Sequence, residues 1–578
     1  MQTAAGEWLD LKLGSPGREH ACFGPAESVA LDEAAAFPAA ACRALDDLGL
    51  GGYYVPVGLG GLLSDHLELV ELLRAVARRD LTVAIAHGKT FLGSAPVWVA
   101  ADDLADRLAA AVLQGTCVAW GLTERDHGSD LLAGELAATR LPTGGWRLDG
   151  EKWLINNATR ARLICVLART DPAGGPRGFS LFLVDKLELA DGTWCCRAKV
   201  TTHGIRGADI SGIAFDGAEV AATTLVGEVG EGLELVLKTL QLTRTCIASL
   251  SLGAGDTAFR LTSAHVAEQV RSGHRQVDQP WIRRTLGQVA ASLLLAEATA
   301  VLGARAIQEL TGELAVISAV TKALVPTLVQ EAIDRMAEIL GERAVLTGHF
   351  ADGRFAKLER DHRIVAVFDG NTAVSRNALI DHFPLLASGY RRGTVDSTGL
   401  RAAAEPAGAP TPFDPGRLVL VATRGCSVVQ ALPAVVARLQ SDAVSGEIPQ
   451  GVRVLATAVL AATDDLHVEL GALRRSARSV PASAFALAER YELCYAAAAC
   501  LQLWAAADPG RRDPMWLTAC LRAALDRLGP ATEAGEEAGT GAVYDALADR
   551  VLRVGPGALH ELLPRAAGIE KAVTGWLA

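Results

Sequence analysis

Two short segments hold most of the residues able to grip or act on a small molecule. Residues 120–130, Trp-Gly-Leu-Thr-Glu-Arg-Asp-His-Gly-Ser-Asp, set the hydroxyls of Thr123 and Ser129 around Gly128. Hydroxyls donate and accept hydrogen bonds, and glycine lets backbone N–H groups approach a ligand closely. The same residue types also suit an ordinary turn. Residues 368–372, Phe-Asp-Gly-Asn-Thr, place the carboxylate of Asp369 beside Gly370. Asp-Gly is a common turn pair, so this carboxylate is either a working group or only a turn residue. The twelve histidines show no His-x₃-His pairing on a helical stretch, which speaks against a metal centre. His127 falls in the first segment as a polar loop residue. Lys152, within EKWLINN, has no lysine-nucleophile pattern around it.

The elements that must carry these segments change type twice. Residues from about 25 to 115 have helical periodicity; in HLELVELLRAVARRD (66–80), Leu67, Val70, Leu73 and Val76 share one face. Near residue 117 short apolar or alternating runs begin, such as RLICVLART and GFSLFLVDK, punctuated by Gly, Asp and Pro. Helical periodicity then returns, with LELVLKTLQLTRTCIASLSLGAGDTAFRLTSAHVAEQV opening one long amphipathic stretch. STGLRAAAEPAGAPTPFDP (397–415) lacks periodicity and predicts a linker. The expected division is therefore a helical domain (1–116), a β-barrel-like domain (117–228), a second helical domain (229–390), a linker (391–415) and a C-terminal helical domain (416–578). A β block between two helical blocks predicts a cleft where they meet.

Composition narrows the partners. A chain of 578 residues is too long for one core. Its net charge of −11, with no basic block, excludes a nucleic-acid partner and a strongly anionic membrane surface. The first 30 residues lack a signal-peptide pattern, and no uncharged apolar run of about 20 residues predicts a transmembrane segment. Eleven cysteines without metal-ligand spacing fit reduced thiols in a cytoplasmic protein.

Three motifs in order then resemble those of the acyl-CoA dehydrogenase family. Residues 120–130 are similar to its T-E-x-x-x-G-S-D signature. Gly150-Glu-Lys-Trp-Leu-Ile-Asn-Asn157 is similar to its G-x-K-x-(aromatic)-I-T-N strand. Phe368-Asp-Gly-Asn-Thr372 resembles its Y-E-G-T turn, with Glu359-Arg-Asp-His-Arg363 in place of the R-D-x-R lead-in. The likeness spans about residues 30–385. It implies a mainly α fold with a central β domain, an α–β–α core, and a C-terminal helical bundle like that of very-long-chain acyl-CoA dehydrogenases. It further implies noncovalent FAD between the β domain and the second helical domain. The implied substrate is an acyl thioester on coenzyme A or a carrier protein. An electron-transfer flavoprotein or similar acceptor and a homodimer are also implied.

By the same resemblance, Trp120, Leu122, Thr123, Gly128, Ser129, Leu154, Asn156, Arg271, Gly341 and Asn371 serve the cofactor. Ser129, Arg244 and Gly370 face the substrate, and Asp369 is the base. Some positions depart from the family. Leu154 stands where an aromatic residue is usual, and Asn156 where threonine is. Asp369 replaces a glutamate, so substrate or backbone must come about 1.5 Å closer. Thr243, at the family's alternative base position, cannot act as this base. On the adenosine-diphosphate side, Gln269-Val-Arg-Ser-Gly273 replaces R-x-x-F-G, and Glu338-Ile-Leu-Gly-Glu-Arg-Ala344 replaces Q-x-x-G-G-x-G. Glu338 and Glu342 would repel a pyrophosphate unless Arg343 or Arg271 compensates. Competing readings are a flavin monooxygenase on the same fold and a non-catalytic acyl-binding paralogue.

Overall fold

The computed structural model describes residues 3–14, 20–271, 273–405, 407–441, 448–474, 479–529 and 541–554. Six helices come first: α1 (Ala4–Leu13), α2 (Pro25–Glu33), α3 (Ala39–Asp47), α4 (His66–Arg79), α5 (Leu81–Ala100) and α6 (Leu104–Leu113). Asp65 and Asp80 start α4 and α5 by accepting the backbone N–H groups of Leu67 and Thr82, the usual work of an N-cap carboxylate. Helix α5 is apolar on nearly every side and is buried on nearly every side.

The β segment folds as one mixed sheet: β1 (Val118–Gly121), β2 (Ala137–Arg140), β3 (Trp146–Asn156), β4 (Leu163–Arg169), β5 (Phe179–Asp185), β6 (Trp194–Arg197), β7 (Ile210–Val220) and β8 (Leu225–Val226). Its order is β6-β7-β3-β2-β4-β5-β8, with β1 parallel to β4. Trp146, Leu148, Phe182, Ile213 and Phe215 give it a core of its own. The register of β3 against β7 slips between Trp153 and Ile155. Leu154 occupies that bulge with φ 59° and is 44% exposed, pushed out of the ladder as bulged residues are.

Next come α7 (Gly232–Cys246), α8 (Ala248–Glu268), the hairpin β9 (Val270–Arg271) and β10 (His274–Arg275), α9 (Pro280–Glu309) and α10 (Leu314–Leu340). They are followed by α11 (Arg354–His362), α12 (Thr372–Asp381), α13 (Phe383–Arg392) and α14 (Ser397–Ala404). The single amphipathic stretch expected from residue 233 is divided at Ile247 into α7 and α8. Arg74 of α4, fully buried, pairs with Asp256 of α8 and Glu297 of α9 at 2.7 and 3.1 Å, tying the two helical blocks together. Removing one partner of such a buried pair typically costs about 3–5 kcal/mol. By length and hydropathy α9 and α10 could each cross a membrane, but 94% and 83% of their apolar windows lie inside this fold. They are apolar because they are core helices.

The predicted linker is a correction. It contains α14, and the chain beyond is pinned to α9. Thr411 donates through its N–H and hydroxyl to Glu309, Gln308 donates to the Thr411 carbonyl, and Phe413 packs edge-on to His66. The Pro-, Ala- and Gly-rich composition shows a lack of period; it does not show polar partners a hundred residues earlier.

The C-terminal helices are α15 (Ser427–Gln430), α16 (Leu432–Ser441), α17 (Gln450–Ala472), α18 (Ala482–Ala506), α19 (Pro514–Leu528) and α20 (Ala542–Val554). Helices α18, α19 and α20 pack on α9 of the core. Arg376 of α12 pairs with Glu492 at 2.9 Å and with Glu489, while Ser427 donates to buried Glu313. Gly287 of α9 lies so close to the backbone of Tyr544 in α20 that a Cβ there would overlap its carbonyl. Gly287→Ala is therefore expected to lift α20 from α9 and cost about 1–3 kcal/mol. Urea unfolding and limited proteolysis within α20 check this, and an unchanged midpoint with unchanged cleavage would count against the close fit.

Candidate active site

Helix α5 brings the three motifs together on one face. The carbonyl of Ala86 accepts from Asn157 Nδ2 at 2.7 Å, at the end of β3. Lys89 pairs with Asp369 at 2.8 Å. A Cβ on Gly93 would stand 2.8 Å from the Val118 carbonyl oxygen of β1, so the helix touches the strand backbone there. Positions 86, 89 and 93 are three and four residues apart, the spacing of one helical face.

On the sheet side, Thr123 donates its hydroxyl to the Trp153 carbonyl at 2.7 Å, and Trp153 N–H donates back to the Thr123 carbonyl. The first two motifs are thus paired directly. Beneath them Lys152, buried, donates to Glu124 at 2.7 Å and to the Leu122 carbonyl at 3.0 Å. Burial depresses the Lys152 ammonium, opposed by Glu124. Burial alone would raise the Glu124 carboxyl. Lys152 and the N–H groups of Glu135 and Leu136 outweigh it and hold the carboxyl below its ordinary value. Lys152 is therefore a structural cation that shapes the loop carrying Thr123, Gly128 and Ser129. Gly128 and Ser129 are exposed, and His127 reaches Glu135 at 3.4 Å.

Several buried polar atoms find no partner among the described residues: Trp120 Nε1 and both side-chain polar atoms of Asn156 on the sheet, and Thr243 Oγ1 on α7, next to Arg244. Native folds rarely leave such groups alone unless a ligand or water meets them. They fit a flat, polar-edged group held against the sheet, with exposed Leu154 offering apolar cover.

The third motif forms a left-handed turn, with φ 55° at Asp369 and 93° at Gly370. Aspartate tolerates that region and glycine is at ease in it. A Cβ on Gly370 would meet Arg244 Nη2 at 2.5 Å, so only glycine lets Arg244 lie under the turn. Arg244 Nε donates to the Asp369 carbonyl at 3.0 Å, and burial lowers its pKa. Asn371 caps α12, its side chain accepting from Val374 N–H at 2.8 Å. Its carbonyl group is thus occupied by a structural task that the cofactor assignment did not foresee.

Two lysines here were absent from the sequence reading. Lys89 donates to both carboxylate oxygens of Asp369, at 3.1 and 2.8 Å, and stands 4.9 Å from the Phe368 ring centre. Lys322 of α10 is buried, donates to the Val365 carbonyl and lies 5.5 Å from the same ring. Burial pushes its pKa down to about 7, with Asp369 opposing and Arg244 and Lys89 adding to the fall. The available signal was a lone cation inside an apolar helical run, at HGKTF and VTKAL, since lysine is seldom buried without a purpose. Lys89 and Phe368 also line a cleft with Leu73, Ile85, Leu250 and Ser249.

Two family models match the chain: the acyl-CoA dehydrogenase middle domain over residues 119–218 and its C-terminal domain over residues 230–383. The chain belongs to the acyl-CoA dehydrogenase family. A probable acyl-CoA dehydrogenase of Mycobacterium tuberculosis is 25% identical over 350 residues, covering 60% of this chain and 87% of that protein. The human mitochondrial short-chain specific acyl-CoA dehydrogenase is 26% identical over 367 residues, covering 61% and 84%. An acyl-CoA dehydrogenase from Bacillus anthracis, solved with FAD, shares the fold at TM-score 0.68 and 15% identity over 97% of this chain and 95% of that one. That likeness of fold runs through the C-terminal helices. The enzyme is an oxidoreductase acting on CH–CH bonds, and its cofactor is FAD.

Of the residues that the resemblance assigned to the adenosine-diphosphate side, Arg271 lies on the β9–β10 hairpin and Gly341 ends α10 with φ 62°. The two acidic residues at that end each have a cation: Arg335 holds Glu338 at 2.8 Å, and Arg343 stands 3.8 Å from Glu342.

Lys322 gives stability a pH signature. Its pKa falls from 10.5 in a solvated chain to about 7 in the fold. Between those values the unfolded chain holds the proton and the folded one does not, so stability rises with pH across the window. Below about 7 both states are charged and the full burial penalty applies. Lys322→Met is expected to unfold later than the parent near pH 7, with a lead that shrinks toward pH 9.5. Thermal melts at several pH values would show it; a lead independent of pH would mean that Lys322 is not the group responsible.

Proposed function

We propose that the enzyme introduces a double bond between the α and β carbons of an acyl thioester, with Asp369 as the base. The observation that carries this reading is the placement of Asp369. It follows Phe368 and pairs with Lys89, both of which line the apolar cleft, while Gly370 and Arg244 lock its backbone. The α C–H bond breaks and its proton passes to the Asp369 carboxylate. Those electrons form the C=C bond as the β hydrogen leaves with its own electron pair. FAD bound against the sheet supplies the hydride acceptor.

The chain's own residues do the rest. Trp120, Thr123 and Asn156 hold the flavin's polar edge, and Leu154 covers an apolar part of the ring. Gly128 and Ser129 meet the pyrophosphate or the thioester's carrier, while Arg271 and Gly341 serve the adenosine end. Leu73, Ile85, Leu92 and Leu250 exclude water from the acyl side, which strengthens the pull of the base on the α proton. Lys89 fixes the carboxylate and Arg244 the backbone carbonyl of Asp369, with Lys322 adding positive charge nearby, where a shorter aspartate must reach the substrate. We read the assembly as a homodimer in the cytoplasm that passes electrons to an electron-transfer flavoprotein or similar acceptor; eleven unpaired cysteines support a reducing compartment.

Asp369→Asn keeps the shape of the turn and removes the proton acceptor. Without O₂, flavin bleaching by a panel of short acyl-CoA thioesters is expected to fall about 10²–10⁴-fold. FAD bound per chain should stay as in the parent. Bleaching at the parent rate would show that Asp369 is a turn residue and would sink this mechanism.

A further inference from the structure

The acyl cleft is small and is polar in an unexpected place. Among its lining residues are Leu73, Ile85, Lys89, Ser249, Leu250 and Phe368. It leaves about 20 Å³ for the centre of a water-sized sphere, room for about one water. A long alkyl chain would have to displace Leu73, Leu250 and their neighbours.

Two donors in this cleft are not used up. Serines and threonines in these helices commonly return their hydroxyl to the carbonyl four residues earlier, as Thr239, Thr245 and Ser263 do at 2.7, 2.8 and 2.6 Å. Ser249 is fully buried, lines the cleft and finds no partner among the described residues. Lys89 has three N–H groups and meets two oxygens of Asp369, so one N–H remains for a ligand. Charge points the same way. Asp369 faces Lys89, Lys322 and Arg244, so the local balance is positive even with Lys322 half titrated near neutrality.

We propose that the acyl group is short and ends in a carboxylate, so that the substrate is the mono-thioester of a small dicarboxylic acid. The distal carboxylate sits at the polar end of the cleft and accepts from Lys89 and Ser249. Both groups are donors, so the cleft selects an acceptor; the excess positive charge selects an anion over a neutral hydroxyl or ketone. In drawing on Lys89, the substrate also loosens its hold on Asp369 and leaves the base freer to take the α proton. Lys89 is then the residue that sets specificity. This inference rests on the cleft being the acyl site of the dehydrogenase reading.

The test compares glutaryl-CoA with 5-methylhexanoyl-CoA, which has the same shape without the charge. Binding to the FAD-loaded enzyme is followed by the shift of the flavin spectrum, and bleaching without O₂ is followed separately. The parent enzyme should bind glutaryl-CoA more tightly by about 10–100-fold, the worth of a charge-assisted hydrogen bond. Lys89→Met should abolish or reverse that preference. Ser249→Ala, a milder change should Lys89→Met fail to fold, should reduce it several-fold. Equal or tighter binding of the uncharged thioester by the parent overturns the inference, as does Lys89→Met weakening both ligands equally, since Lys89 would then serve only Asp369. If glutaryl-CoA binds preferentially but bleaches no flavin, acyl recognition stands and the dehydrogenase mechanism fails.

Discussion

One face of helix α5 holds the catalytic arrangement together. Ala86 receives the end of the second motif, Lys89 holds the carboxylate of the third, and Gly93 admits the strand that leads into the first. The helix is buried on nearly all sides, so it cannot turn to relieve a strain at one of these contacts without disturbing the others. The distances among sheet, turn and cleft are therefore set by a helical repeat rather than by the loops that carry the functional residues.

Charge is spent inside the molecule in two distinct ways. Arg74 with Asp256 and Glu297, and Lys152 with Glu124, are closed sets in which burial is offset by direct partners. They fasten helices to helices and the signature loop to the sheet. Around Asp369 the set is open. One carboxylate stands among three cations but is bonded by Lys89 alone, Lys322 carries a depressed pKa, and the partnerless Ser249 hydroxyl lines the same cleft. Closed sets suit structure; an open set held in place by a rigid surround is what a ligand site needs.

The C-terminal helices extend the same core instead of forming a separate body. They pack on α9, whose apolar length would otherwise be exposed, and reach back through Arg376 to the helix that follows the Asp369 turn and through Glu313 to the turn between α9 and α10. The family's acidic departures at the end of α10 are balanced locally by Arg335 and Arg343. These substitutions change the surface chemistry without leaving bare negative charge.

The order of helix, sheet and helix, the three motifs and the flavoenzyme family were legible in the sequence. Each depends on local periodicity or on residues adjacent in the chain. The Trp153–Leu154–Ile155 segment was legible as a strand, but its bulge was not, because a register slip depends on the strand opposite. Asn371 looked like a site residue and is also a helix cap, which follows from where α12 begins. Lys89 and Lys322 were letters in apolar helices. Only folding places them beside a carboxylate at 369, because contacts between residues 47 to 280 positions apart are decided by how α5, α7 and α10 pack and not by any pattern along the chain.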